Sequence, residues 1–314
     1  MEKFIIYGAG KCGQNWFEFL KYKNLQKHVY CFVDKNAKSI KSIDGIQVLT
    51  LEETLELDFP YFISVQDSGK KKEIEENLKN INKRYASSIE YMARYCGEDR
   101  VSFNRDYCAY CHVNTSYFER AEQSDWLDVF WKENGNFYNM FKNLDLENVI
   151  ELACGHGRHV PMYYKGDEHI TLVDILEDNI NFCKERFKDK NNISYYCNNG
   201  FNLSELNDNT YTSLFAYDAM VHFEMLDIAS YLKEFYRVLV SGGYALIHHS
   251  NNTADYTAAF ANGSAQRSYM SADIFAYLAY RSGFEIVEQK IIDWEGEKDL
   301  DCITLLKKPI FFNN

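Results

Sequence analysis

Short apolar runs, each ending in glycines or an acid and followed by a stretch with helical spacing, recur along this chain. Phe4-Ile5-Ile6-Tyr7 has the pattern of a strand, and Gly8-Ala9-Gly10-Lys11-Cys12-Gly13 follows it. A helical stretch then covers Gln14 to Tyr22. Val29-Tyr30-Cys31-Phe32-Val33 is a second strand, closed by Asp34. Gln47 to Leu49 and Tyr61 to Val65 are further strands, with helices over Leu51 to Leu57 and Lys70 to Arg84. This alternation predicts a small parallel α/β domain over residues 1–95. From Cys96 to Ser116 the chain is polar and shows no period, so 96–116 is expected to be a linker or an irregular cap.

A second series of the same kind begins after that stretch. Val149-Ile150-Glu151-Leu152 is a strand leading into Gly155-His156-Gly157, and Thr171 to Asp174 is the next. Strands follow at Ser194 to Cys197, Ser213 to Tyr217 and Tyr244 to His248. Helices cover Asn179 to Phe187, Ile228 to Leu239 and Ala272 to Ser282. The last two strands, Phe284 to Lys290 and Asp301 to Lys307, form a pair of the sort that closes an α/β sheet with an antiparallel edge. The second domain is expected over 117–314.

Composition narrows the function classes. Hydrophobic residues make up 46% of the 314, enough to bury a core in each domain. The formal charge of −12 repels a phosphate backbone and argues against nucleic acid as the partner. No apolar run approaches the roughly 18 residues that span a bilayer. The first residues form a strand rather than a signal peptide, and nine cysteines are an odd number; both suggest a cytoplasmic protein with reduced thiols.

The second domain carries the chemistry. A glycine turn after a first strand lets main chain approach a ligand, and the next helix offers free N–H groups. Asp174 ends the second strand, 17 residues past Gly157. A carboxylate there can accept ribose hydroxyls. Asn199-Gly200-Phe201 follows the third strand, where an amide can meet an adenine edge and a ring can cover its face. Arg237-Val238-Leu239-Val240-Ser241-Gly242-Gly243 makes a helix end, a turn and the start of the fifth strand.

This set resembles the class I S-adenosylmethionine-dependent methyltransferases over about residues 117–308. Glu151 to Gly157 looks like their first motif, and Arg237 to Gly243 like their RVLKPGG segment, with Ser241 in place of the usual proline. Ala153 and Cys154 stand where a glycine or other small residue is common. The resemblance implies a Rossmann-like sheet and S-adenosylmethionine as cofactor. By position it implies Glu151, Ala153, Gly155 and Gly157 around the methionine part and Asp174 with Ile175 at the ribose. Asn199, Gly200 and Phe201 would then meet the adenine, with Tyr217 beside the cofactor.

Methyl transfer to a hydroxyl needs a positioned acceptor and a base for its proton. Ligands of open α/β sheets lie at the carboxyl ends of the strands. Asp218 and His222 follow the fourth strand there, and His248, His249 and Asn251 follow the fifth. Histidine can take a proton near neutral pH. Neighbours on an extended segment point opposite ways, so one of His248 and His249 faces the pocket. His222 or His249 is the expected base, Asp218 its orienting group or a substrate ligand, and Asn251 a ligand of sugar hydroxyls. Trp126, Phe130 and Trp131 fall at helical spacing, which suits both a core helix and a lid; Trp126 and Tyr117 are expected on the substrate side. No compact carboxylate cluster marks a metal, so metal-free catalysis is expected.

Gly8-x-Gly10-x-x-Gly13 with Asp34 looks like a dinucleotide fingerprint. The first domain also resembles the N-terminal domain of bacterial sugar-modifying enzymes, including sugar acetyltransferases. That implies a nucleotide or sugar-nucleotide module, or an interaction domain without ligand. Cys108-Ala109-Tyr110-Cys111-His112 matches the haem-attachment pattern, and with Cys96 could make a zinc site. One such pair is a weak signal, and thiols in a cap explain it as well. The chain therefore reads as a sugar O-methyltransferase, its substrate a nucleotide-sugar destined for surface or capsule polysaccharide. The alternatives are a methyltransferase for another small metabolite and a non-catalytic nucleotide-binding scaffold; homo-oligomerisation stays open.

Overall fold

A computed structural model describes residues 3–113 and 115–310. The chain divides into two units, Met1–Tyr110 and Cys111–Asn314. Each is an α/β unit built on a mainly parallel sheet.

The first unit runs β1 (Phe4–Tyr7), α1 (Lys11–Tyr22), β2 (Val29–Val33), α2 (Ala37–Ile40), β3 (Ser42–Ile43), β4 (Ile46–Leu49), β5 (Tyr61–Ile63), α3 (Ser68–Asn80), β6 (Tyr85–Ala86), α4 (Ile89–Cys96) and α5 (Arg100–Cys111). The strand order is β3-β4-β2-β1-β5-β6, parallel except for the β3–β4 pair. β1 is central, and Phe4, Ile5 and Ile6 are fully buried, as a parallel strand covered on both faces requires. The expected linker over 96–116 is largely helical instead. Phe103, Tyr107 and Tyr110 recur at spacings of four and three and pack on α1. The rings of Phe19 and Phe103 lie 5.1 Å apart, and Trp16 stacks on Tyr107 at 4.3 Å. Polar residues between these aromatics hide the period from a reading of the sequence, so the unit extends to Tyr110 rather than 95.

The second unit opens with three short helices, α6 (Tyr117–Ala121), α7 (Ser124–Trp131) and α8 (Asn136–Phe141). Then follow β7 (Asn148–Leu152), α9 (Val160–Tyr163), β8 (His169–Asp174), α10 (Glu177–Arg186), β9 (Ile193–Cys197), β10 (Tyr211–Ala216), α11 (Met225–Val238), β11 (Leu239–Ser250), α12 (Ala272–Arg281), β12 (Glu285–Trp294) and β13 (Glu297–Lys307). The sheet order is β12-β13-β11-β10-β7-β8-β9. β7 to β11 run parallel, and β13 is antiparallel to both of its neighbours, the expected edge.

Aromatic residues of α7 and α8 cover one face: Phe130, Trp131, Phe137 and Phe141 join one core with Phe215 and Tyr217. Tyr231 and Phe235 of α11 and Phe275 of α12 join Leu214 and Ile247 in the other. Strand order reverses between β7 and β10, so a crevice opens at their carboxyl ends. Among the described residues, no helix is long and apolar enough to cross a membrane.

Candidate functional site

The loop after β7 carries the glycine turn. Ala153 and Gly155 have φ of +55° and +54°, a region that favours glycine. Ala153 therefore holds a left-handed conformation where its methyl group is a burden. Gly155 leaves no such choice, because a Cβ there would lie 2.7 Å from Cε1 of Phe118. The Phe118 ring of α6 stacks on His156 at 4.2 Å, and His156 stacks on Phe182 of α10 at 3.8 Å. Arg186 pairs with Glu122 and donates to the His156 carbonyl at 2.7 Å. The segment from α6 to Glu122 thus closes over the loop.

Asp174, at the end of β8, binds that loop from the other side. Its Oδ2 accepts the Gly155 N–H at 2.9 Å; its Oδ1 accepts Leu176 N–H at 2.9 Å and the Asn179 amide at 3.1 Å. Burial raises its pKa despite these donors. Ile175 follows half-buried. Asn199 is exposed, and its Oδ1 accepts the N–H groups of Phe201 and Asn202, which shapes the turn through Gly200.

Two buried polar atoms in this region have no partner among the described residues: Glu151 Oε1 and Arg158 Nη1. The other Glu151 oxygen accepts the Tyr163 hydroxyl at 2.9 Å. Burial pushes the Glu151 carboxyl up to about 8, against the pull of that hydroxyl and of the Arg158 charge. Arg158 follows Gly157 directly; its Nη2 donates to Asp218 Oδ2 at 3.2 Å, and its guanidinium lies 4.9 Å from the Phe130 ring centre. An acceptor without a donor and a cation with a spare N–H, both dehydrated, are complementary to the ammonium and carboxylate of an amino acid.

Beyond β10 the chain turns at Asp218, with φ +55°. Its carboxylate accepts the Tyr117 hydroxyl from α6 at 2.7 Å. His222 Nδ1 lies 2.9 Å from the Gln266 carbonyl. A carbonyl only accepts, so Nδ1 carries the proton and Nε2 the lone pair. Phe260 meets the His222 ring edge-on at 5.3 Å, and His112 lies 6.3 Å from it.

Five expectations are corrected. His249 points away from this cluster: it stacks on Phe275 at 3.8 Å, and its nitrogens bond the Ser250 carbonyl and Thr304 Oγ1. Strand alternation puts His248 on the other face, but both of its nitrogens are occupied as well, and it is fully buried. Asn251 spends its amide on the main chain, donating to Asp299 O and accepting from Ala272 N. The Tyr217 ring is enclosed by Phe130, Phe137 and His248, within the core. Trp126 is half-buried between Phe130 and Trp294, and its indole N–H has no partner among the described residues.

Arg158 and His112 were missed from the sequence. The first had a signal, a cation immediately after the glycine turn. The second was read only as part of a cysteine pattern. Among the described residues, no group of three or more histidines, cysteines or acids is placed to hold a metal.

Residues 149–243 match a family model described as a methyltransferase domain. The second unit carries a methyltransferase domain. Residues 1–86 match a second model, described as C2185-like, N-terminal. No curated protein matches the chain. Solved structures similar to it include a SAM dependent methyltransferase from Aquifex aeolicus, with 14% identity and a TM-score of 0.46, over 62% of this chain and 97% of that one. A protein from Pyrococcus horikoshii OT3 has 18% identity and a TM-score of 0.43, over 58% and 95%. The cyclase SpnF has 12% and 0.47, over 55% and 80%. Superpositions at these scores fix neither a substrate nor a reaction. S-adenosylmethionine is the cofactor that the sequence resemblance implies for this domain. The residues fit it: Glu151 Oε1 and Arg158 Nη1 suit its amino-acid end, and the Gly155 turn lies against Asp174.

Proposed function

We propose that the methyltransferase domain places a methyl group on a hydroxyl of a small polar acceptor, with His222 as general base. The observation that carries this reading is the tautomer of His222, whose Nδ1–H is held by the Gln266 carbonyl at 2.9 Å. S-adenosylmethionine supplies a methyl group on a positively charged sulfur. His222 Nε2, which has the lone pair for it, would take the hydroxyl proton as the acceptor oxygen gains the methyl group that the cofactor would supply. Burial, reinforced by the Arg267 charge, lowers the His222 pKa to about 4, so the ring is neutral through the physiological range. The Asp218 carboxylate acts the other way and stabilises the imidazolium once the proton arrives. Tyr117 and Asp218, joined at 2.7 Å, are the proposed binding groups for the acceptor hydroxyls. The side chains around them, Phe118, Phe260 and His112, limit the entry of water.

The proposed acceptor is a sugar, carried on a nucleotide and destined for surface polysaccharide; the site of action is the cytoplasm. The first unit supports the nucleotide part. Its Ala9 N–H donates to Asp34 Oδ2 at 2.9 Å, which fixes the glycine loop. A Cβ on Gly13 would lie 1.9 Å from the Gly8 carbonyl oxygen, so loop and helix approach as only glycine allows. Gly10 caps the N-terminus of α1 without a side-chain hydrogen bond, which suits a phosphate there.

The test is turnover of the full chain with S-adenosylmethionine against nucleotide-sugars, free sugars, amines and phosphorus-containing acids. A mass gain of one methylene is expected on a nucleotide-sugar. Gain on an amine alone would overturn the hydroxyl reading, and gain on free sugars alone would overturn the nucleotide part.

A further inference from the structure

A buried chain of polar groups leads from β13 to the turn after β10. Arg267 grips Asp301 with two hydrogen bonds, Nε to Oδ1 at 3.0 Å and Nη2 to Oδ2 at 2.7 Å. His248 Nε2 lies 3.0 Å from Asp301 Oδ2. His248 Nδ1 accepts the main-chain N–H of Asp218 at 3.1 Å. A main-chain N–H can only donate, so Nδ1 must hold the lone pair. The ring proton is then on Nε2, facing the carboxylate. Tyr217 stacks on the imidazole at 4.6 Å, and Trp294 lies 5.1 Å from it. His248 and Asp301 are fully buried, and Arg267 nearly so.

The far end of this chain of bonds is a residue in the left-handed backbone region. Asp218 has φ +55°, which L-residues other than asparagine, aspartate and histidine seldom adopt. In that conformation its N–H points back to His248, while its carboxylate meets Tyr117 and Arg158. An ion pair in a core is a weak source of stability compared with packed apolar side chains. Fixing the direction of a neighbouring group is a use for which apolar side chains are no substitute.

We propose that His248 is a positioning residue: Arg267 and Asp301 fix its tautomer, and it holds the left-handed turn that aims the Asp218 carboxylate into the acceptor site. This rests on the reading of Asp218 as an acceptor-binding group. His248 does not act as a base, because neither nitrogen is available. Without its Nδ1, Asp218 relaxes towards an ordinary conformation, and its carboxylate leaves the Tyr117 hydroxyl.

Amide hydrogen exchange on the full chain tests the hold directly and needs no acceptor. In the wild type the Asp218 amide is protected, and nitrogen NMR at pH 7 shows His248 protonated on Nε2 and not on Nδ1. His248→Phe keeps the stacked ring and removes the acceptor. It should speed Asp218 exchange at least tenfold while the amides of β10 and β11 keep their protection. His248→Asn places a side-chain oxygen close to the position of Nδ1 and should restore most of the protection. Unchanged Asp218 exchange in His248→Phe would overturn the proposal. So would a wild-type imidazole protonated on Nδ1, which decides the matter even if His248→Phe does not fold. The acceptor reading fails separately, through full turnover in Asp218→Asn. Impaired turnover in that variant with normal exchange in His248→Phe overturns the positioning role alone.

Discussion

If the ammonium of the cofactor sits at the unpaired Glu151 Oε1, cofactor binding should depend on pH. In the ligand-free protein its carboxyl is raised to about 8 by burial, from an ordinary 4.5. At pH 7 about 0.9 of the molecules then carry the proton. The ammonium of the cofactor, placed at the unpaired Oε1, favours the ionised form. Binding at pH 7 should therefore release about 0.9 proton, at a cost of about 1.4 kcal/mol, or tenfold in affinity. Affinity should rise about tenfold per pH unit from roughly 6 to 7.5. It should peak near 8, where an α-amino group loses its own proton. Calorimetry with S-adenosylhomocysteine, in buffers of different ionisation enthalpy, counts the protons. Glu151→Gln should remove both the release and the slope. Flat affinity from pH 6 to 8 with no proton released would refute the reasoning. The same group affects folding in the opposite sense. The native chain keeps this proton to about 8 while the unfolded chain loses it near 4.5, so the contribution of Glu151 to stability falls as pH rises through that window.

Two other outcomes are expected. His222→Ala should lower kcat by roughly two to four decades, with S-adenosylhomocysteine affinity unchanged; wild-type kcat would remove histidine base catalysis. Gly155→Ala puts a methyl group 2.7 Å from the Phe118 ring at a left-handed position, and should weaken S-adenosylhomocysteine binding at least tenfold in calorimetry, while thermal unfolding shows a folded domain.

Much of this was legible in the sequence because it is local. Strand and turn adjoin, and the acid ends the very next strand 17 residues past Gly157, so Glu151, Gly155 and Asp174 could be placed by reading along the chain. The alternation of His248 and His249 correctly predicted opposite faces, but the face does not say which nitrogens are free. That depends on Asp301 and Thr304, some fifty residues away in sequence. Asn251 misled for a related reason: a polar side chain after a strand serves the main chain as readily as a ligand. Arg267 and Asp301 carry no local pattern at all, and the cysteine pattern around His112 points to a different chemistry; only the fold brings the three near the turns at Asp218 and His222. The aromatic period of α5 was present but too sparse to outweigh its polar neighbours.

Asp174 accepts three hydrogen bonds from its own protein, two of them from main chain. A carboxylate has about four acceptor positions, so one remains for a ribose hydroxyl where the sequence suggested two. Asp34 in the first unit bonds its glycine loop in the same manner, through the Ala9 N–H. Each acid is thus a fastener for a turn before it is a ligand for anything else. A variant lacking Asp174 would bind cofactor poorly even if the ribose never touched that carboxylate. Weak binding in such a variant is therefore a measure of loop integrity as much as of recognition, and the two can be separated only by watching the Gly155 amide in the absence of cofactor.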